Sequence, residues 1–307
     1  MANITAAMVK ELRDKTGAGM MDCKTALNET GGDMEAAIDW LRKKGISKAA
    51  KKTSRAAAEE LVGVAVDDGA GVLLEVNAET DFVARNDAFK DFVKSATALA
   101  LQEGGDLEKL LGHPMGGSTV QQTLTELVAK IGENMSIRRA AVLSVNPGVV
   151  ASYVHNASAP ELGKIGVLVA LKSEGDKDKL VVLARMIAMH VAAASPLAIS
   201  PEHLSPEVVA RERNVQAEIA RQSGRPENVI EKMMEGRMRK FYEETVLLQQ
   251  TYVIDGETQI AKVLENAAKD VGAPVTVEGF VRFQVGEGIE KTESDFADEV
   301  KQMAGGA

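Results

Sequence analysis

The first 45 residues place apolar side chains at helical spacing in three short segments. In the third segment, for example, Ile38 and Leu41 fall three positions apart and share a helix face. Thr5 and Asp33 stand directly before the first and third segments, where side-chain oxygens cap the first turn of a helix. Glycines follow the segments as helix stops. We therefore predict a small bundle of three helices, the third of which ends at Gly45.

Beyond residue 60 the pattern changes to short β-branched runs separated by turn residues. The runs LVGVAV and VLLEV flank the turn DDGAG, which is typical of a β-hairpin. Helical periodicity then returns in two segments, the second capped by Ser118, and another β-branched run follows. The predicted elements are strands at 61–66 and 72–76, helices at 87–102 and 119–131, and a strand at 137–145.

A similar order recurs in the second half of the chain. The strand pair at 149–155 and 165–172 is followed by a helix at 179–194, and the helix 260–270 precedes the strand 275–283. In both halves a glycine separates the last helix from the last strand. This recurrence predicts an internal duplication of an α+β unit.

Two helical segments interrupt the second repeat, on either side of Gly224, Arg225 and Pro226. The first carries only a narrow apolar stripe, made by Val208, Val215 and Ile219. Such a stripe suits an antiparallel helical hairpin that projects from the body, and it also suits two ordinary surface helices.

Composition and charge narrow the class of protein. The chain has 307 residues, of which 45% are hydrophobic and 26% are charged, with a net charge of −9. This balance is that of a folded protein, and the acidic excess argues against direct binding of nucleic acid or membrane. The single cysteine, Cys23, fits a reducing compartment, and neither a signal core nor a run of about 20 apolar residues occurs. We expect a soluble, cytoplasmic protein.

One basic segment stands out against the acidic whole. Residues 42–55 contain seven lysines and arginines and no acid. A solvated linker at a domain boundary is favoured over a specific anionic contact.

No set of residues predicts catalysis. The four histidines share no metal-ligand spacing with Cys23, and neither a phosphate-binding loop nor a nucleophile elbow is present. His190 lies in an apolar helix and is interpreted as a satisfied core or helix-surface residue. His155 follows a strand, in a predicted loop, and is the better functional candidate. We expect no enzymatic activity, no cofactor and no metal.

Exposed apolar anchors point instead to a binding protein. Phe82 lies in the polar connection NAETDFVARND, between a predicted strand and a predicted helix. It is either a core-capping residue or an anchor for another molecule, and the pattern alone favours neither. Met20 and Met21 are adjacent at a helix start, so at most one is expected to face the bundle interior. Apolar anchors of this kind carry much of the energy of protein interfaces.

Four motifs carry a resemblance to a known family: ITAAMVKELRDKTGAGMMDCKTAL, EVNAETDFVARND, LVAKIGENMSIRRA and GFVRFQVGEGIEK. Together they resemble the bacterial elongation factor Ts family over essentially the whole chain. The resemblance implies an α+β protein: a three-helix bundle similar to ubiquitin-associated domains, then two related α+β subdomains with an inserted antiparallel helical hairpin and a C-terminal helix. The implied boundaries are 1–54 for the bundle with its linker, 55–146 for the first subdomain, 147–198 and 244–288 for the second, 199–243 for the hairpin and 289–307 for the C-terminal module.

The same resemblance implies a partner and a site. The partner would be elongation factor Tu, GDP-bound and nucleotide-free, from which the chain would promote GDP release as a guanine-nucleotide exchange factor. The implied site comprises the loop Thr80, Asp81, Phe82 and Val83 near the partner's magnesium ion, with further contacts from Arg13, Met20, Met21, Ile131, Gly132, Asn134 and His155. The alternative is an adaptor that binds a peptide or protein through its bundle. A monomer and a homodimer are both compatible with the sequence.

Overall fold

The computed structural model describes residues 4–16, 18–50, 57, 59–67, 69–222 and 226–288. The predicted C-terminal module at 289–307 lies outside the described residues, as do residues 224 and 225 of the predicted hairpin turn. The helices are α1 Ala6–Thr16, α2 Met20–Glu29, α3 Met34–Ala50, α4 Asp81–Arg85, α5 Asp87–Gln102, α6 Leu107–Gly112, α7 Val120–Ile131, α8 Lys177–Ala194, α9 Pro206–Gln222, α10 Glu227–Thr245 and α11 Ile260–Val271. The strands are β1 Glu59–Asp67, β2 Ala70–Ala78, β3 Pro114–Met115, β4 Ser118–Thr119, β5 Met135–Ser144, β6 Gly148–Ala159, β7 Leu162–Lys172 and β8 Thr276–Gln284.

The predicted N-terminal bundle is confirmed. Helices α1, α2 and α3 enclose a small core in which Leu12, Cys23 and Leu27 are fully buried. Both predicted caps are present: the backbone N–H of Met8 donates to Thr5, and the N–H of Ala36 donates to Asp33 at 2.9 Å. The bundle thus has its own apolar centre, as its periodicity requires.

The predicted end of the third helix is wrong. Helix α3 continues through Gly45 to Ala50, so residues 42–50 of the basic segment are helical. The remainder of the predicted linker, 51–55, lies outside the described residues. The glycine serves packing: a Cβ at Gly45 would lie 3.0 Å from the Cβ of Ala129 on α7. Because tertiary contact outweighs the weak helix propensity of glycine, the helix runs on where the sequence signal favours a stop.

The strands β5, β2, β1, β7 and β6 form one antiparallel sheet in that order. Strand β8 also pairs with β7, over Ile165 to Lys172. Strands β1 and β7 meet only over Val62–Gly163 and Gly63–Leu162, so the sheet divides into two halves. Apolar residues of both halves, among them Leu73 and Leu168, form a shared inner core. The outer faces are covered by α5 and α7 on one half and by α8 and α11 on the other.

The two halves repeat one another in detail. Helices α7 and α11 both end at a left-handed glycine, Gly132 with φ 90° and Gly272 with φ 82°. The strand that follows each of these helices, β5 or β8, pairs with one register shift. The shift lies between Glu75 and Val76 of β2 in the first half and between Ala170 and Leu171 of β7 in the second. The fold is therefore α+β, with the recurrence that the sequence predicts.

The helical interruption is also present. Helices α9 and α10 pack against each other, and the Arg237 guanidinium donates to the Gln216 side chain at 2.7 Å. Their base is held by a small cluster of Ala198, Leu204 and Val246. This arrangement agrees with the predicted hairpin.

Candidate protein-binding site

The segment around Phe82 folds as the five-residue helix α4, where a connection without regular structure was predicted. Val83 and Ala84 are 2% and 5% exposed and fix the helix to the core of the first half. Phe82 points the other way and is 75% exposed. Its exposure excludes the core-capping interpretation and leaves a large aromatic ring in solvent.

Helix α4 is joined to the segment that follows α7. Strands β2 and β5 pair up to Ala78 and Met135. An extension of this register would set Glu79 opposite Asn134 and Thr80 opposite Glu133. The backbone N–H of Asn134 donates to Glu79 Oε1 at 2.6 Å. On the other side, Thr80 donates its N–H to Glu133 Oε2 at 3.0 Å and its hydroxyl to Oε1 at 2.9 Å. Two carboxylates therefore continue the contact between the chain segments beyond the end of the strands.

Asp81 lies beside Phe82 and has a partner within its own helix. The guanidinium of Arg85 donates to Asp81 Oδ2 at 3.0 Å, and the side chains of Arg85 and Asp81 are 74% and 46% exposed. An ion pair this exposed contributes little to stability, so another charged group can displace Arg85 at small cost.

The residues predicted in KIGEN lie at the end of α7. Ile131 is half-buried, Gly132 is the left-handed C-cap, and Asn134 is buried. Gly132 has a positive φ of 90° at the helix end, a conformation that glycine adopts most easily. The structure thus brings this predicted segment next to Thr80.

The N-terminal candidates are on the bundle surface. Met20 and Met21 begin α2 and are 60% and 72% exposed, while later residues of the helix face the bundle core. Arg13 on α1 is also exposed. The prediction that at most one of the two methionines faces inward is confirmed, because both side chains are exposed.

Helix α7 supports both candidate regions. The bundle packs on it through α3, with an ion pair of 3.2 Å between Arg42 Nε and Glu126 Oε1. The same helix leads into Glu133, which bonds Thr80. One rigid element therefore connects the bundle with the segment that carries Phe82.

The predicted location of His155 is wrong. It lies inside β6, paired with Ile165 of β7, because this strand continues to Ala159 through a register shift near Ala157. Its ring is exposed, and its Nδ1 lies 3.2 Å from the Tyr153 hydroxyl.

His190 is a satisfied core residue, as predicted. It is fully buried; its Nε2 lies 2.9 Å from Gln250 Oε1, and the backbone N–H of Val253 donates to its Nδ1 at 3.3 Å. Burial holds the pKa of His190 below its ordinary value.

Within the described residues, no group of three or more histidines, cysteines and acids could hold a metal ion, and no helix is long and apolar enough to cross a membrane.

Sequence reasoning assigned no role to Glu79, Arg85 or Glu133. The missing signal is tertiary, because Glu133 meets Thr80 only when β2 and β5 pair in this register.

The chain is similar in sequence to members of one protein family. The family model described as Elongation factor TS matches residues 79–287. The chain is 62% identical over 307 residues to Elongation factor Ts of Rhodospirillum centenum, with 99% of this chain and 100% of that protein covered. It is 59% identical over 308 residues to the protein of the same name from Parvibaculum lavamentivorans, with both chains fully covered. It is also 59% identical over 310 residues to the one from Maricaulis maris, with 99% of each chain covered.

Proposed function

The chain belongs to the elongation factor Ts family and has a role in translation elongation; we propose that it acts there as a guanine-nucleotide exchange factor for elongation factor Tu. The observation that carries the proposal is the Phe82 ring, which is 75% exposed on a short helix whose neighbouring residues are buried. A large apolar side chain in solvent on an anchored support is suited to insertion into another protein.

In this proposal Phe82 enters the nucleotide-binding domain of elongation factor Tu near its magnesium ion. Mg²⁺ requires near-ideal octahedral geometry and bridges the phosphates of the bound nucleotide. A small displacement of its ligands therefore weakens the hold on GDP. Asp81 would act on the same region after it leaves Arg85. Thr80 and Val83 would support the inserted segment from its base, because Val83 is buried in the core and Thr80 is bonded to Glu133.

Exchange of this kind is a binding process and changes no covalent bond. The chain binds nucleotide-free elongation factor Tu more tightly than the GDP-bound form. By thermodynamic reciprocity, GDP then binds the complex less tightly than it binds elongation factor Tu alone. GTP, present in the surrounding solution, can then occupy the emptied site.

Other surfaces would contribute affinity. We propose that Met20, Met21 and Arg13 contact the partner from the bundle, and that His155 contacts it from the second half of the sheet. The exposure of all four side chains supports this assignment. Ile131, Gly132 and Asn134 would act beside them by holding the segment next to α4.

The adaptor alternative is supported by the exposure of the two methionines and predicts a different dependence on nucleotide. The test is calorimetric titration of elongation factor Tu, first emptied of nucleotide and then saturated with GDP, with the full-length chain. An exchange factor binds in a 1:1 ratio and more weakly to the GDP-bound form. An adaptor that binds through the bundle would show equal affinity for both forms, with sensitivity to Met20→Ala and none to Phe82→Ala. That pattern would overturn the exchange proposal.

A further inference from the structure

The carboxylates of Glu79 and Glu133 occupy a place where backbone pairing would otherwise continue. Strands β2 and β5 exchange backbone hydrogen bonds up to Ala78 and Met135. One residue further, the chain turns into α4 on one side and comes from the end of α7 on the other. Each carboxylate accepts a backbone N–H from the opposite segment, Glu79 from Asn134 and Glu133 from Thr80. The pairing is thus continued reciprocally by side chains.

We propose that Glu79 and Glu133 are positioning residues for nucleotide exchange, and that their carboxylates fix the first turn of α4 and hence the direction of Phe82. The inference rests on the proposed function and deepens it. Neither glutamate is assigned a contact with the partner; both act through Thr80 and the neighbouring backbone.

Helix α4 depends on such support because it has only five residues. A helix this short is unstable by itself, since nucleation costs more than its few hydrogen bonds return. Its N-cap residue, Thr80, makes no side-chain cap bond to the helix; its hydroxyl donates to Glu133 instead. Val83 and Ala84 anchor one side of the helix in the core. The carboxylates supply the second point of attachment that fixes its rotation.

These hydrogen bonds are of the strong kind. A charged acceptor makes shorter and stronger bonds than a neutral one, and the 2.6 Å contact between Asn134 N and Glu79 Oε1 fits this class. Glu133 receives two bonds from Thr80, which defines an orientation as well as a distance. An anchored turn places the Phe82 ring without an ordering cost at the moment of insertion.

A loosened first turn of α4 should therefore affect the insertion of Phe82 more than the association of the two proteins. Association through the bundle and the sheet would continue, because those surfaces do not depend on α4. Productive insertion of Phe82 would become rarer. We expect the maximal rate of GDP release to fall while the half-saturating concentration of the chain changes little.

The test uses full-length Glu133→Gln and Glu79→Gln variants, with Glu108→Gln as the control. Glutamine keeps the size of the side chain but turns one of the two acceptor oxygens into a donor. Glu108 is exposed and lies on a different helix, α6, and its substitution makes the same change in charge. Release of a fluorescent GDP analogue from elongation factor Tu is measured over a range of chain concentrations. For Glu133→Gln we expect about a tenfold lower maximal rate, with a half-saturating concentration within about twofold of wild type. Glu108→Gln should behave as wild type does.

A second readout does not depend on the partner. Hydrogen–deuterium exchange should accelerate at the Thr80 amide in Glu133→Gln and at the Asn134 amide in Glu79→Gln, while amides of β2 keep their protection and report an intact sheet. Unchanged protection at both amides would overturn the inference. So would an unchanged maximal rate in a variant whose Thr80 amide is deprotected. If the wild-type chain itself fails to accelerate release, the proposed function is wrong. Amide exchange at Thr80 and Asn134 still shows, independently of that result, whether the two carboxylates hold α4.

Discussion

Glu75 offers a test of how the first half of the sheet is held together. Its side chain on β2 is fully buried and accepts from Arg138 Nη1 at 2.6 Å and from Arg139 Nε. Consecutive strand residues normally point to opposite faces. Here the register shifts beside Glu75, from the pair Glu75–Arg139 to the pair Val76–Ile137. A bulge of this kind re-aims side chains locally, and both arginines reach one carboxylate.

The expected cost of Glu75→Gln follows from these contacts. The substitution keeps the volume and removes the charge, so two charge-assisted hydrogen bonds become weaker or are lost, each with a contribution of about 1.5–3 kcal/mol. The arginine side chains are 25% and 31% exposed, so water recovers part of this loss. We expect the free energy of unfolding to fall by about 2–3 kcal/mol, less than the cost of leaving a fully buried ion without its partner.

The assay is urea unfolding followed by far-ultraviolet circular dichroism, with Glu59→Gln as the matched control. Glu59 lies on the neighbouring strand β1 and pairs with Lys164 at 2.9 Å, but its side chain is 32% exposed. A pair of this kind should contribute less than about 1 kcal/mol. Equal losses for the two variants, or no loss for Glu75→Gln, would refute the argument that burial makes the Glu75 cluster important.

Three further predictions concern other parts of the molecule. Met20→Ala should weaken association with elongation factor Tu by about 1–2 kcal/mol in a calorimetric titration and leave the unfolding curve unchanged, since the side chain is exposed. Gly45→Leu should force α3 away from α7, because even a Cβ at this position would lie 3.0 Å from the Cβ of Ala129. The measurement is the emission of Trp40 under native conditions, which should shift. Because burial lowers the pKa of His190, the unfolded chain takes up the proton first as the pH falls below the ordinary value of 6.5. Stability from this residue is therefore present above that pH and lost below it, and unfolding curves of His190→Gln should depend less on pH between about 7.5 and 5.5.

The regular elements could be predicted because their patterns are local. The helices at 87–102 and 179–194 and the duplicated strand pairs agree with the structure within a few residues. Element ends depend on contacts distant in sequence and were predicted less well. Thr119 rather than Ser118 caps α7, and β6 runs past His155 because its pairing with β7 continues.

The candidate site divides in the same way. Phe82 could be singled out because an aromatic residue in a polar connection is unusual, and the resemblance to a family gave it a role. Its direction could not be predicted, since it depends on Val83 and Ala84 in the core and on Glu133, which is 53 residues from Thr80 in sequence. Only the pairing of β2 with β5 brings the two together.

We propose that insertion of Phe82 promotes nucleotide release. The most direct measurement is stopped-flow release of a fluorescent GDP analogue from elongation factor Tu at saturating concentrations of wild type, Phe82→Ala and the control Val215→Ala, which removes an exposed apolar side chain from the helical hairpin. We expect fast release with wild type and with Val215→Ala. With Phe82→Ala it predicts release close to the spontaneous rate, although the variant remains folded. Equal rates for wild type and Phe82→Ala would contradict it.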